Sequence, residues 1–459
     1  MGFNRLLKAL VGAVLTLVGL FGARPVLAAG PHYVFAHYMV CYSTYGATVQ
    51  GYERDIQDAQ AAGIDGFALD MPAFNAPTAS YYNTNVDLLY AAAEQLGTGF
   101  KFFFSIELTD TNVIQAMLTT YAHRPNTFYK GTNLVVSTFG QNQFNVDWYH
   151  GMILPLQNQG IPICFVPFFW PNPVGELPSY YDAVNILNTY SNILNGLFLY
   201  GGAGLPSQLV TCNSNYNAAV HAAGKIYMAG MSAHYWGCWQ PSIGRRYYEY
   251  DGGEGTILQW NSIIANQPDW VEIVTWNDFN ESYISPVSNP EQYENQVTTP
   301  HRYSSAGYLE LTKRYISWYK TGVPPATNND VLYYFYRTHP MNLVASDTND
   351  TWVANRIGDI ADVIYNTLFL VAPAQLQVTS GTNSATYSLA AGLQQVRTPF
   401  SPGAQSFTVT RNGAQVMSVQ GTPILSAITN YDFFPTSGYV YGPVVPGSPS
   451  HLRATLDSQ

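Results

Sequence analysis

An α/β fold, a (β/α)8 TIM barrel followed by a C-terminal antiparallel β-sandwich, is predicted by three features of this 459-residue sequence. Eight short, nearly continuous apolar runs recur at intervals of roughly 30 to 45 residues, as strands buried on both faces require. Segments with apolar residues at helical spacing fall between many of them. After Pro325 the texture changes to short alternating runs separated by turn signals, the pattern of antiparallel strands.

The runs are HYVFAHYMV, IDGFALDM, KFFFSIEL, NLVVSTFG, IPICFVPFFW, NGLFLYG, KIYMAGMSAHYW and VEIVTWN, in that order. Between the first three lie YERDIQDAQAAG, ending at Gly63, and VDLLYAAAEQLG, ending at Gly97, each read as an amphipathic helix with a glycine stop. Eight strand-helix units over about 290 residues match the arithmetic of a barrel. Pro324-Pro325 and the Thr-Asn-Asn-Asp turn behind them mark a boundary. Beyond it, VLYYFYR, ADVIYNTLFLV, LQVTSG, ATYSLAAG, FTVTRNG and AQVMSVQG read as sandwich strands. The expected organisation is therefore a leader at 1–28, a catalytic barrel at 29–325 and a sandwich at 326–459.

The leader has a basic start at Arg5 and Lys8, an apolar stretch from Ala9 to Phe21, and small residues near Ala28, as an export signal does. The apolar stretch falls short of the ~20 residues that span a bilayer. A secreted or periplasmic chain with no membrane span is expected. Cleavage removes three basic residues and leaves 16 basic against 29 acidic side chains, a net charge of −13. No basic surface is then left to meet phosphates, which argues against a nucleic-acid partner. Charged residues make up only 10% and aromatics 15% of the chain, with 35 tyrosines and 9 tryptophans. Such a surface suits neutral, hydroxylated ligands held by stacking and hydrogen bonds. Cys41, Cys164, Cys212 and Cys238 lack the paired spacing of a zinc site. Cys164 reads as a buried thiol, Cys212 and Cys238 sit in expected loops and could pair, and the sequence does not choose among the three possible connectivities. A monomer is expected.

In a barrel the chemistry lies where the strands end. The residues closing the eight runs are His37, Asp70, Glu107, Gln141, Trp170, Tyr200, then His234 with Tyr235 and Trp236, and finally Trp276 and Asn277 leading to Asp278. Any one of them could merely cap a strand or helix. As a set rich in aromatics, amides, His and acids, they describe a cleft lined for sugar. No HExxH or comparable spacing makes the histidines a metal site. TWNDFNESYISP carries two acids, Asp278 and Glu281, three residues apart. Cleaving a glycosidic bond needs a protonated acid beside the leaving oxygen and a carboxylate that attacks or activates water. Asp-x-x-Glu is also a helix-capping pattern. The surrounding Trp276, Asn277, Asn280, Ser282 and Tyr283 exceed what a cap requires and tip the reading toward catalysis.

The pieces VFAHYMV, GIDGFALDM, KFFFSIEL, VVSTFG, GLFLYGGAG, IVTWNDFNES, WYKTGVPP, YRTHP and RNG run in order along nearly the whole mature chain. In these the sequence resembles glycoside hydrolase family 71, the α-1,3-glucanases or mutanases. TWND-x-x-ES followed by WYKTG is the specific part. The resemblance implies a (β/α)8 barrel backed by a β-sandwich, endo-acting, inverting hydrolysis of α-1,3-glucan, and no metal or organic cofactor. It places the family's acid pair on Asp278 and Glu281. Of the two, Glu281 is read as the general acid and Asp278 as the general base, with the exchange of roles left open. The chain departs from the family at Asp70, at Ser105-Ile106-Glu107, at FLYGGAG and at SAHYWG, all on the cleft floor. Asp70 and Glu107 could bind substrate hydroxyls or replace a member of the acid pair. The rival readings are a hydrolase of another linkage, such as an endo-mannanase, and a catalytically inactive carbohydrate-binding protein.

Overall fold

The computed structural model describes residues 32–139, 146–171, 177–238, 246–286, 303–347 and 355–443. The expected leader and Gln141 lie outside these residues. The apolar runs become parallel strands: β1 (Tyr33–Met39), β2 (Gly66–Met71), β3 (Lys101–Ile106), β4 (Asn133–Thr138), β5 (Ile163–Phe165), β6 (Gly196–Leu199), β7 (Ile226–Met231) and β8 (Trp270–Ile273). Each is followed by a helix: α1 (Val49–Ala61), α2 (Tyr81–Leu96), α3 (Thr111–Tyr121), α4 (Leu154–Asn158), α5 (Tyr180–Thr189), α6 (Pro206–Ala222), α7 (Gly253–Asn266) and α8 (Ala306–Thr321). Local chemistry sets several helix ends. Thr48 caps α1 by accepting the Gly51 amide, Gly97 ends α2 in the left-handed region, and Ser179 with Asp182 forms a capping box on α5.

The strands form one curled sheet in the order β5-β4-β3-β2-β1-β8-β7-β6. Its two ends approach each other, where the Phe198 amide donates to Pro167 O at 2.8 Å and the Asn195 amide to Phe165 O at 2.8 Å. Gly230 on β7 is required by close approach, because a Cβ there would lie 2.3 Å from the carbonyl oxygens of Leu199 and Tyr200. Rings plug the N-terminal end of the curl: Phe35 meets Phe103 edge-on at 4.9 Å, and Phe128 meets Trp270 at 5.5 Å. Two residues further along β1, on the same face as Phe35, comes His37. Aromatic packing thus gives way to polar chemistry within one pleat.

The tail holds β9 (Val331–Arg337), β10 (Val363–Leu370), β11 (Ala374–Ser380), β12 (Asn383–Leu389), β13 (Gly392–Pro399), β14 (Gly403–Arg411), β15 (Ala414–Ile424) and β16 (Pro435–Tyr441). They pair as two four-stranded antiparallel sheets, β13-β10-β9-β16 and β12-β11-β14-β15. Strands β13 and β16 fall outside the runs singled out in the sequence. Leu332, Tyr334 and Tyr336 join Val378, Phe407 and Val409 in a core shared by both sheets. The alternate residues Val331, Tyr333 and Phe335 face the other way and pack with Tyr308 of α8. This two-sided burial explains why VLYYFYR is apolar at both parities.

The cysteines correct one expectation. Cys212 lies inside α6 and not in a loop, Cys238 donates to Asn280 O at 3.2 Å, and none of the four cysteines is in a disulfide.

Candidate active site at the C-terminal edge of the sheet

His37 and Glu272 form the floor. The His37 Nδ1 and Glu272 Oε1 atoms are 2.8 Å apart, and both side chains are sealed from solvent. Glu272 sits amid the apolar residues of β8, where burial pushes its carboxyl up and His37 draws it back down. His37 Nε2 also lies 3.9 Å from Asp70 Oδ1 at the end of β2. Asp70 is held well above the ordinary carboxyl range, first by burial and then by the negative charges of Glu107, Asp278 and Glu272. Its Oδ1 has no hydrogen-bond partner among the described residues. Glu107, just past β3, is raised by burial and lowered by His37.

The loop after β8 brings the acids predicted as a pair to this cluster. Asn277–Asp278 and Ser282–Tyr283 form a two-residue hairpin ladder, so the chain turns back and carries Asp278 and Glu281 around its bend. The Asp278 amide donates to Thr275 Oγ1 at 2.6 Å, and Asp278 Oδ1 accepts the Asn280 amide at 3.0 Å. Together the two bonds fix the orientation of Asp278. Glu281 is half-buried and hydrogen-bonds the Tyr235 hydroxyl. The Glu281 carbonyl accepts the Trp236 amide at 2.8 Å, tying the bend to the strand-like piece Tyr235–Gly237.

Tyr200, at the end of β6, reports how near these groups are. Its hydroxyl is pushed up by burial and then by the charges of Asp278, Glu281 and Asp70. Phe139 meets Tyr200 at 4.9 Å and His37 at 6.3 Å, and Phe168 links Tyr200 to half-buried Trp170. The structure therefore gathers His37, Asp70, Glu107, Trp170, Tyr200, Tyr235, Asp278 and Glu281 at one edge.

Four expected substrate contacts are displaced from it. Trp276 is fully buried and donates from Nε1 to Asp55 Oδ1 at 2.8 Å, so it faces α1 and not the mouth. Asn277 is a clamp: its Oδ1 accepts the Met39 amide, and its Nδ2 donates to the carbonyls of Met39 and Tyr42. His234 packs among Tyr283, Tyr308 and Phe434, donates from Nε2 to Tyr283 O at 2.9 Å, and is lowered to about 3 by burial, hence neutral. Trp236 is fully buried against Phe433. What sets the four apart is their partners: Asp55, the β1 loop and an aromatic cluster around Phe433 and Phe434 hold them away from the acids.

Two members were missed. Glu272 is the sole charge in the apolar run VEIV, and a charge there has to find a partner. Cys41, after β1, has its thiol pushed up to about 12 by burial and by the charges of Asp70 and Asp278, and it bonds Tyr82. Nothing in its sequence context marks it.

The chain belongs to glycosyl hydrolase family 71, whose sequence profile matches residues 30–444. It is a glycoside hydrolase. It is 29% identical over 449 residues to the glucan endo-1,3-alpha-glucosidase agn1 of Schizosaccharomyces pombe, covering 93% of this chain and 99% of that one. A mutanase of Penicillium rubens is 30% identical over 421 residues, with 87% of each chain covered. The ascus wall endo-1,3-alpha-glucanase of S. pombe is 26% identical, covering 80% of this chain and 86% of its own.

Proposed function

We propose that this chain is a secreted, endo-acting glycoside hydrolase that cleaves α-1,3-glucan with inversion. Residues 29–325 would close as a complete (β/α)8 barrel, and 326–459 would form a β-sandwich that supports it. The observation that carries the reading is the convergence of Asp278, Glu281 and Asp70 on Tyr200 at the edge where β2, β6 and β8 end. The names of the family relatives supply the linkage. The leader at 1–28 supports export, and no helix among the described residues is long and apolar enough to cross a membrane.

In this mechanism Asp278, oriented by the Asn280 amide, draws a proton from water as that water attacks the anomeric carbon. Glu281 gives its proton to the departing glycosidic oxygen, and Tyr235 orients it. Inversion calls for the two carboxyls to stand roughly 6.5 to 9.5 Å apart, leaving room for water. One observation favours a second assignment of the acid. Burial and the neighbouring carboxylates push Asp70 well above the ordinary carboxyl range, the direction that suits a proton donor. His37, Trp170 and Tyr200 then line the sugar site.

The test is release of reducing ends from insoluble α-1,3-glucan, with mannan and other glucans alongside. Asp278→Asn should lower kcat by about a thousandfold, within the range general base catalysis supplies. Proton NMR of the first product anomer reads inversion. An α-glucosyl fluoride, whose leaving group needs no proton, should rescue whichever of Glu281→Gln and Asp70→Asn removes the acid. Binding to glucan without product would establish the inactive-lectin reading, and near-native activity of Asp278→Asn would overturn the mechanism.

A further inference from the structure

Helices of an alternating fold run back against their strands, so each helix begins at the edge where the preceding strand ends. Four aromatic side chains stand out in solvent among the described residues: Tyr81, Tyr149, Tyr181 and Tyr441, at 48%, 37%, 75% and 45% exposure. Three of them open helices on one side of the mouth. Tyr81 is the first residue of α2, Tyr149 begins the helical turn leading into α4, and Tyr181 is the second residue of α5. Each stands at the start of a helix that follows β2, β4 or β5, on the edge where those strands end, with its ring open to a ligand.

Each ring is braced by a neighbour. Tyr81 stacks on Tyr82 at 4.6 Å and 29°, Tyr149 meets His150 edge-on at 5.0 Å, and Tyr181 meets Tyr180 edge-on at 5.7 Å. Bracing fixes a ring before any ligand arrives, which lowers the entropy of binding. The first pair also connects to the acids: Tyr82 bonds Cys41, whose thiol senses Asp70 and Asp278. Tyr81 is thereby linked, through Tyr82 and Cys41, to the acids.

We propose that Tyr81, Tyr149 and Tyr181 form a stacking rim that holds the polysaccharide chain away from the cleavage point, making the enzyme select long polymer over short oligosaccharide. The rim rests on the α-glucan hydrolase reading above. Its ligand is a neutral chain whose sugar rings offer C–H faces to the tyrosines.

The experiment compares wild type with two triple variants, Tyr81→Ala/Tyr149→Ala/Tyr181→Ala and the same three positions changed to Phe. Melting curves first check that all are folded. The Ala variant should release reducing ends from insoluble α-1,3-glucan about tenfold more slowly at low loading, the effect of losing roughly 1.4 kcal/mol of polymer binding. It should also sediment less with the polymer, while turning over a soluble α-1,3-oligosaccharide within about twofold of wild type. The Phe variant keeps the ring faces and should keep polymer activity. Unchanged polymer activity in the Ala variant, or an equal fall on both substrates, overturns the rim. A wild type that ignores α-1,3-glucan but cleaves another polymer refutes the linkage alone, and the same comparison on that polymer decides the rim.

Discussion

Buried charge is handled in opposite ways in the tail and at the mouth. In the tail, Asp330 is almost fully buried and meets Arg411 through two bonds, Nη1 to Oδ2 at 2.8 Å and Nη2 to Oδ1 at 2.9 Å. The Val371 amide donates to the same carboxylate, and Arg411 also donates to the carbonyls of Ala372 and Pro373. Arg337 is likewise buried and satisfied by Asp362 and by the carbonyls of Ala361 and His339. At the mouth, Asp70, Glu107 and Glu272 have the His37 ring as their only basic partner among the described residues. A pair that is matched charge for charge holds the chain together. Acids crowded around one imidazole keep protons that a reaction can use.

The tail pair gives the largest effect on stability. Arg411→Ala leaves Asp330 buried without its counter-charge, and such a loss costs about 3 kcal/mol. Chemical denaturation should show that drop, while kcat on glucan stays within about twofold of wild type because the mouth is untouched. A drop below about 1 kcal/mol would erase the contrast, since it would make Asp330 no better matched than a surface acid.

This contrast was only partly legible in the sequence. The strands could be read because burial on both faces leaves unbroken apolar runs, and the acids after β8 because two carboxyls crowd one short loop. Direction could not be read. Trp276 and Asn277 stand beside Asp278, yet the hairpin sends the tryptophan behind the sheet to Asp55 and uses the amide to clamp the β1 loop. Glu272 was available as a lone charge in VEIV, but its partner His37 is 235 residues away and only the β1–β8 pairing joins them. The Asp330–Arg411 match spans 81 residues and looks in sequence like any turn acid and strand arginine.

Glu249 sits between the two regimes. It is buried, attracted by Arg337 and repelled by Asp251, while the Asp251 amide and the Tyr247 hydroxyl donate to it. Burial dominates and raises it from 4.5 to about 7. The native state therefore binds this proton more tightly than the unfolded chain does. Its stabilising effect is complete below pH 4.5 and is lost as pH rises through about 7. The loss by pH 8 amounts to about 3 kcal/mol. Glu249→Gln should flatten that slope, overtaking wild type in stability above neutrality, as unfolding titrations from pH 4 to 8 would record. An unchanged slope would place Glu249 with the matched charges of the tail.

The variant that separates function from stability is Asp70→Asn. Because Asp70 is raised, its folded form also prefers the proton, and ionisation at neutral pH works against the fold. The amide variant removes a potential negative charge from beside Glu107, Asp278 and Glu272. Its melting midpoint should exceed that of wild type at pH 7, and the gap should close as pH falls toward the ordinary carboxyl range, where both forms are neutral. Under the second assignment, with Asp70 and not Glu281 as the acid, its activity should fall at the same time. Calorimetry at pH 4 and pH 7 reads the first effect and reducing-end release the second. A variant less stable than wild type at pH 7 would mean that Asp70 is a matched structural charge, and the mouth would then differ from the tail in position only.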